Sequence, residues 1–300
     1  MATSLQNIVQ NNQPIHTIGH IRQKLNGSLS QQITFIIVEG NDDLEFYRSF
    51  FKPNNSFIYS SIKENDIMGG CAYLQEIVKT VLSWGETEKI FGIMDTDYRK
   101  YIPFYKYPQA VFHTDYRDME MMVLSVPNVQ AALNNWNNQF QNAIATITPV
   151  VRFQGRLRIW NEIFKLGCNF KKYAKISNLF NTKTHSIYTD WEKRAIENFY
   201  KGCRNRKDSF FKKIYKPLLS RTVRCIHALP LYKNASDYDI CRGHDMLLLL
   251  SYQMVHTNIY SDKNIWEKMK QAYSLMDFKA TRLYSSIRQW ENKHQVQIVK

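Results

Sequence analysis

The stretch Ile33-Thr34-Phe35-Ile36-Ile37-Val38-Glu39-Gly40-Asn41-Asp42-Asp43 changes character at one point. Residues 33–38 are β-branched and aromatic, uncharged, and too few for a helix. Such a run predicts a strand buried on both faces. It stops at Glu39 and Gly40. Residues 41–51 then place Leu44, Tyr47, Phe50 and Phe51 at helical spacing, and Pro53 closes the segment. Asp42 and Asp43 fall in the first turn of this helix, where negative charge meets the positive end of the dipole.

The same alternation continues downstream. Residues 57–62 form a second strand candidate and Met68-Gly69-Gly70 a turn. Residues 72–84 set Leu74, Ile77, Val78, Val81 and Leu82 on one helical face. A third strand, 89–94, ends at Asp95-Thr96-Asp97. A fourth, 110–113, leads through Asp115-Tyr116-Arg117 into a helix that carries Glu120 and runs to Leu124. Strands that alternate with helices predict an α/β fold with an open, mostly parallel sheet flanked by helices. Ligand sites in such sheets lie at the carboxyl ends of the strands. Glu39, Asp95 and Asp97 fall at that edge, with Glu120 soon after.

Upstream, residues 1–30 read as a polar extension with one short helix at 15–25, stopped by Asn26-Gly27. After Pro127 the pattern is helical: 129–136, 152–166, 208–215, 244–255, 264–273 and 278–290. Thr189-Asp190-Trp191-Glu192 matches a capping box that opens one more helix. The expected organisation is an extension at 1–30, an α/β domain at 31–130 and a mainly α-helical basic domain at 131–300.

Composition bounds the class. The 300 residues are 44% hydrophobic and 14% aromatic, enough for a sizeable core. The apolar run 246–250 is far short of the ~20 residues of a membrane span. The first ten residues lack a basic region followed by an apolar core, so a secretory signal is not expected. Five scattered cysteines argue against a disulfide framework and for a reducing cytosol. The net charge of +14 is unevenly spread. Residues 31–130 hold 9 Lys/Arg against 14 Asp/Glu, and residues 150–225 hold 19 against 5. Acidic residues on one segment and basic ones on another suggest a cation site beside a surface for a polyanion. A solvated basic face without a ligand is the plainer alternative.

The order strand, Glu-Gly-x-x-Asp, helix, Gly-Gly, helix, strand, Asp-x-Asp resembles the TOPRIM domain of topoisomerases, primases and OLD-type nucleases. The residues are Val38-Glu39-Gly40-Asn41-Asp42-Asp43, Gly69-Gly70 and Ile93-Met94-Asp95-Thr96-Asp97. Thr114-Asp115-Tyr116-Arg117-Asp118-Met119-Glu120, Gly243-His244-Asp245-Met246-Leu247 and 283–291 are similar to a prokaryotic TOPRIM family of about this length. That family includes the effector subunit of the PARIS anti-phage system, which works beside an ABC-type ATPase. The resemblance implies Glu39 as metal ligand or general base and Asp95 with Asp97 as ligands of Mg²⁺ or Mn²⁺. It adds Asp43 to the metal shell and Glu120 for a second metal. It further implies a cytoplasmic, toxic nuclease that cleaves host RNA, with tRNA favoured, acts as a homodimer, and is restrained by its ATPase partner. The lysine that OLD-type enzymes place near the metals has no aligned counterpart.

Other readings stand beside these. The alternative for Asp43 is service to the helix N-terminus alone and for Glu120 a solvent-facing position, while Asp42 and Asp118 read as surface charges. His244 and Asp245 read as structural, with Asp245 near a helix start and His244 packed on or hydrogen-bonded to the α/β half; a catalytic role is the alternative. Cys225, His227, Cys241 and His244 fit no common zinc spacing. The aromatic residues of 150–225, such as Trp160, Phe164, Trp191, Phe199, Phe210 and Phe211, read mostly as core. Arg204, Arg206, Lys207, Lys212 and Lys213 are the candidate nucleic-acid contacts. Phe278, Leu283, Ile287 and Trp290, with Trp266 and Met269 before them, form apolar faces that serve either the core or a partner. Two further functions compete with the nuclease. One is a degenerate TOPRIM module that binds nucleic acid or regulates an ATPase. The other is a haloacid-dehalogenase-type phosphatase, which normally carries Asp-x-Asp on its first strand.

Overall fold

The computed structural model describes residues 17–27, 33–61, 70–86, 88–102, 105–203, 234–254 and 261–300. In chain order the elements are α1 (Thr17–Leu25), β1 (Thr34–Val38), α2 (Asn41–Arg48), β2 (Ser56–Ser60), α3 (Cys71–Ser83), β3 (Ile90–Met94) and β4 (Val111–His113). There follow α4 (Met119–Leu124), α5 (Pro127–Trp136), α6 (Phe140–Phe164), a small antiparallel pair β5 (Phe180–Asn181) and β6 (Ser186–Ile187), and α7 (Trp191–Gly202). The last are α8 (Asp237–Ile240), α9 (Gly243–Gln253), α10 (Asp262–Ala272), α11 (Leu275–Lys279) and α12 (Arg282–His294). No described helix is long and apolar enough to cross a membrane. The chain divides into two compact units. The first comprises residues 1–96, 106–115 and 274–300, and the second residues 97–105 and 116–273.

The first unit is a four-stranded, all-parallel sheet in the order β2-β1-β3-β4. β1 and β3 are buried along their whole length, which is why both read as continuous apolar runs. Phe35, Ile37, Ile90 and Met94 pack with Leu74, Ile77, Val78 and Val81 of α3 and Ile21 of α1. A second aromatic cluster gathers Phe50, Phe51 and Phe91 with the C-terminal segment. Phe278 stacks on Phe50 at 4.6 Å, and Trp290 meets Phe91 edge-on at 4.9 Å. Leu283 and Ile287 are fully buried as well. The predicted helix 278–290 is in fact two, α11 and α12, because Thr281 caps α12 by accepting from Tyr284 N–H. Phe278, Leu283, Ile287 and Trp290 are thus spent on this core.

Among its described residues, the second unit is helical apart from β5 and β6. α6 is longer than its sequence signature. It begins at Phe140 and carries Pro149 inside it. Gly155 lets α6 meet backbone: a Cβ there would lie 2.2 Å from the Ile240 carbonyl oxygen. Met246, Leu247, Leu249 and Leu250 of α9 are buried, as expected for a central helix, and so are Trp266 and Met269 of α10. The expected capping box before α7 does not form. Asp190, not Thr189, is the cap position, its side chain caps no N–H, and it pairs with Arg194 at 2.7 Å. Of the aromatic set, Trp160 and Phe199 are core, whereas Phe164 is exposed. Phe210, Phe211, Cys225, His227 and the helix 208–215 lie outside the described residues.

Candidate active site

Glu39 follows the last residue of β1 and Asp95 the last residue of β3, two strands paired in register Val38 to Ile93. Both carboxylates therefore leave the sheet at the carboxyl ends of neighbouring strands. Glu39 Oε1 accepts a hydrogen bond from the Asp95 N–H at 2.9 Å. The Glu39 backbone is fixed too, since the one Ser61 hydroxyl proton is shared between the Glu39 carbonyl at 2.9 Å and the Gly70 carbonyl at 3.1 Å. Gly70 opens α3 at φ +81 and ψ −151, a conformation open to glycine almost alone. A Cβ on Gly70 would lie 3.9 Å from Glu39 Oε2, so bare backbone borders this carboxylate. Asp43 accepts from Gly40 N–H at 2.8 Å, the helix-terminal role that its position in the first turn of α2 anticipates.

Asp97 belongs to the second unit. It adopts a left-handed backbone (φ 48), which Asp tolerates better than most residues. Its N–H donates to the Arg117 carbonyl at 2.6 Å. Two guanidinium groups face its carboxylate: Arg99 at 3.0 Å and Arg117 at 3.6 Å. Arg117 is buried, stacks over the Tyr98 ring at 4.5 Å and pairs with Asp118. Burial would lower its pKa, but the Tyr98 hydroxyl, Asp118 and Asp97 outweigh that and hold it above the usual arginine value. Burial also raises the Tyr98 phenol.

Asp118 corrects the sequence reading, which placed it at the surface. It is 3% exposed. One oxygen caps α4 by accepting from Met121 N–H at 3.1 Å, and the other accepts from Gly243 N–H at 2.9 Å. Glu120 is buried rather than solvent-facing, and its Oε1 lies 3.4 Å from His244 Nε2. Asp245 pairs with Arg158 at 2.9 Å. Gly243 is required at this junction, because a Cβ would come within 2.4 Å of Glu120 Cβ and 2.7 Å of Asp118 Oδ1. Sequence reasoning singled out Glu39, Asp95 and Asp97 but missed Asp118, Arg117 and Arg99. An aspartate just before the apolar run Met119-Glu120-Met121-Met122-Val123-Leu124 is itself a cap signal. Nothing local marks the arginines.

Carboxylate oxygens are the donors that hard divalent cations take, so the chemistry of Glu39 and Asp95 suits Mg²⁺ or Mn²⁺. Among the described residues, however, no three His, Cys, Asp or Glu side chains gather into a group that could hold a metal ion. Arg204, Arg206, Lys207, Lys212 and Lys213 lie outside the described residues. No family model matches the chain, and no curated protein matches it at a significant level.

Proposed function

We propose that this protein is a metal-dependent nuclease of the TOPRIM type. The observation that carries the reading is the Glu39–Asp95 pair, two carboxylates at the carboxyl ends of adjacent parallel strands with the glycine backbone of residue 70 beside them. Glu39 and Asp95 would hold the cation, and Asp97, Asp43 and Glu120 are the further carboxylates that the family resemblance adds. Bound Mg²⁺ or Mn²⁺ supplies neutralisation of a phosphodiester and acidification of water. The chain's own share is to orient Glu39 through the Asp95 amide and to offer unhindered backbone to a phosphate at Gly70. The net positive charge of the second unit supports a polyanionic substrate. RNA, with tRNA first, homodimerisation and restraint by an ABC-type ATPase rest on the resemblance alone.

The decisive experiment incubates the purified chain with tRNA, single-stranded DNA and duplex DNA, in Mg²⁺, Mn²⁺ or EDTA. Cleavage is expected with metal only, and Glu39→Gln and Asp95→Ala are expected to abolish it while the circular dichroism stays unchanged. Terbium luminescence titration reads metal binding independently of turnover and should weaken in both variants. Full activity in both variants would refute the reading.

A second reading is a TOPRIM-like module that binds nucleic acid without cutting it. The pairing of Asp97 with both Arg99 and Arg117 favours it, since two cations already neutralise that carboxylate. Retention of tRNA without cleavage in any metal would select it.

A further inference from the structure

Within the second unit, residues 163–189 contain five lysines and no acidic residue. Their first half is the loop that leaves α6. Lys171, Lys172 and Lys175 are exposed there, and none of them pairs with a carboxylate among the described residues. Lys165 has only the exposed Glu162 at 3.7 Å, a pair of little strength. A run of lysines is by itself a solvated surface. What distinguishes this one is its aromatic content. Four large apolar side chains are exposed among the described residues, and two of them, Phe164 at 48% and Tyr173 at 40%, fall within this one ten-residue stretch. Exposed apolar residues scattered singly need no explanation, but two rings set among unpaired cations do.

The loop is seated firmly. Leu166, Cys168, Ala174 and Ile176 are buried and anchor it at both ends. Asn161 holds its start, accepting from Leu166 N–H at 3.2 Å through the backbone and from Cys168 N–H at 2.7 Å through the side chain. Asn169 N–H donates to the Gly202 carbonyl at the end of α7, and Tyr173 N–H to the Asn169 carbonyl at 3.0 Å. Gly202 permits this approach, since a Cβ there would lie 2.7 Å from Cys168 Sγ and 3.1 Å from Tyr173 Cβ. The rings are supported as well. Phe164 rests on the buried Trp160, with centroids 4.5 Å apart. The Lys172 ammonium lies 5.1 Å from the Tyr173 centroid, so a cation and a π face are side by side. Rigid rings cost little entropy on binding, and alternation of cations with rings matches a strand that alternates phosphates with unpaired bases. A duplex keeps its base faces stacked inside and offers the rings nothing.

We propose that residues 164–175 are a surface for single-stranded nucleic acid, with Phe164 and Tyr173 stacking on bases and Lys171, Lys172 and Lys175 at the phosphates. The proposal rests on the polyanionic substrate inferred above but not on cleavage, so it is tested in EDTA. Fluorescence anisotropy compares oligouridylate, oligothymidylate and an RNA duplex of equal length. At least one single strand should bind, and tighter oligouridylate or oligothymidylate assigns the strand to RNA or DNA. Phe164→Ala with Tyr173→Ala should weaken single-strand binding about tenfold or more and leave duplex binding unchanged. Phe164→Tyr with Tyr173→Phe keeps both rings and should bind normally. Lys171→Gln with Lys172→Gln and Lys175→Gln should flatten the slope of log affinity against log salt by about two, at about 0.7 per phosphate contact. The proposal is overturned if no single strand binds, if the folded double alanine variant binds it normally, or if that variant loses duplex binding equally. Should that variant fail to fold, an unchanged salt slope in the lysine variant overturns it instead. Single-strand binding that depends on the rings, without cleavage in any metal, would refute the nuclease reading alone.

Discussion

Asp118 does three jobs with one carboxylate: it caps α4, receives Gly243 N–H and neutralises buried Arg117. Removing one partner of a buried ion pair costs about 3–5 kcal/mol, because the other charge stays buried without compensation. Asp118→Ala should therefore lose at least that much in urea unfolding, whereas Asp118→Asn, which keeps the cap acceptor, should lose less. Equal losses would show that the charge carries the effect and the cap little of it. The cap of Asp118 on Met121, three positions on, was legible in the sequence, but its pairing with Gly243, 125 positions away, was not, because only the fold brings Gly243 to it. Glu39 and Asp95 were legible for the opposite reason. Each sits at the abrupt end of a short apolar run, so strand end and carboxylate are read together.

At the scale of elements, both central strands and the helices that follow them are visible in the sequence, since each has one period and a clear stop. The helices that were misjudged are those whose signals conflict. Pro149 reads as a break, yet α6 runs through it. The spacing of Phe278, Leu283, Ile287 and Trp290 reads as one helix, yet Thr281 starts a new one. A proline inside a helix costs about 3 kcal/mol relative to alanine, offset by up to about 1 kcal/mol from a stiffer unfolded chain. Pro149→Ala restores a donor for the Ala145 carbonyl and should stabilise the protein by about 1–2 kcal/mol, seen as a higher midpoint in urea. An unchanged or lower midpoint would show that the missing donor at Pro149 costs the folded helix little.

Across the whole molecule, charge follows the two units. The first carries 13 Lys/Arg and 13 Asp/Glu, the second 27 and 13, so the net charge of the chain resides in the second. Nucleic-acid affinity should fall linearly with log salt, as counterion release requires. Reversing Arg204, Arg206, Lys207, Lys212 and Lys213 should flatten that slope in filter-binding assays without weakening terbium binding. An unchanged slope would move the phosphate contacts elsewhere. The ends of the chain pose a different question, because residues 274–300 belong with the sheet rather than with the helices that precede them. Sequence order hides this, since periodicity says that a face is apolar and not what covers it. Phe278, Leu283, Ile287 and Trp290 are all buried there, and at about 1.5–3 kcal/mol each they contribute roughly 6–12 kcal/mol as an upper estimate. Buried Glu291 adds to this by accepting from the N–H groups of Ile298 and Val299, and Val299 bridges to Phe51. Single domains are stable by only about 5–15 kcal/mol, so the segment holds a share comparable to the total. A chain ended at Tyr273 should therefore lose the first unit as a folded body, exposing Phe50, Phe51 and Phe91, with increased dye binding to apolar surface and rapid proteolysis within residues 33–115. Supplying residues 274–300 as a separate peptide should restore protection, because the contacts are side-chain burial and strand-like pairing that need no covalent link. A truncated chain that keeps a cooperative unfolding transition for the sheet would show that β1 to β4 and their helices suffice alone.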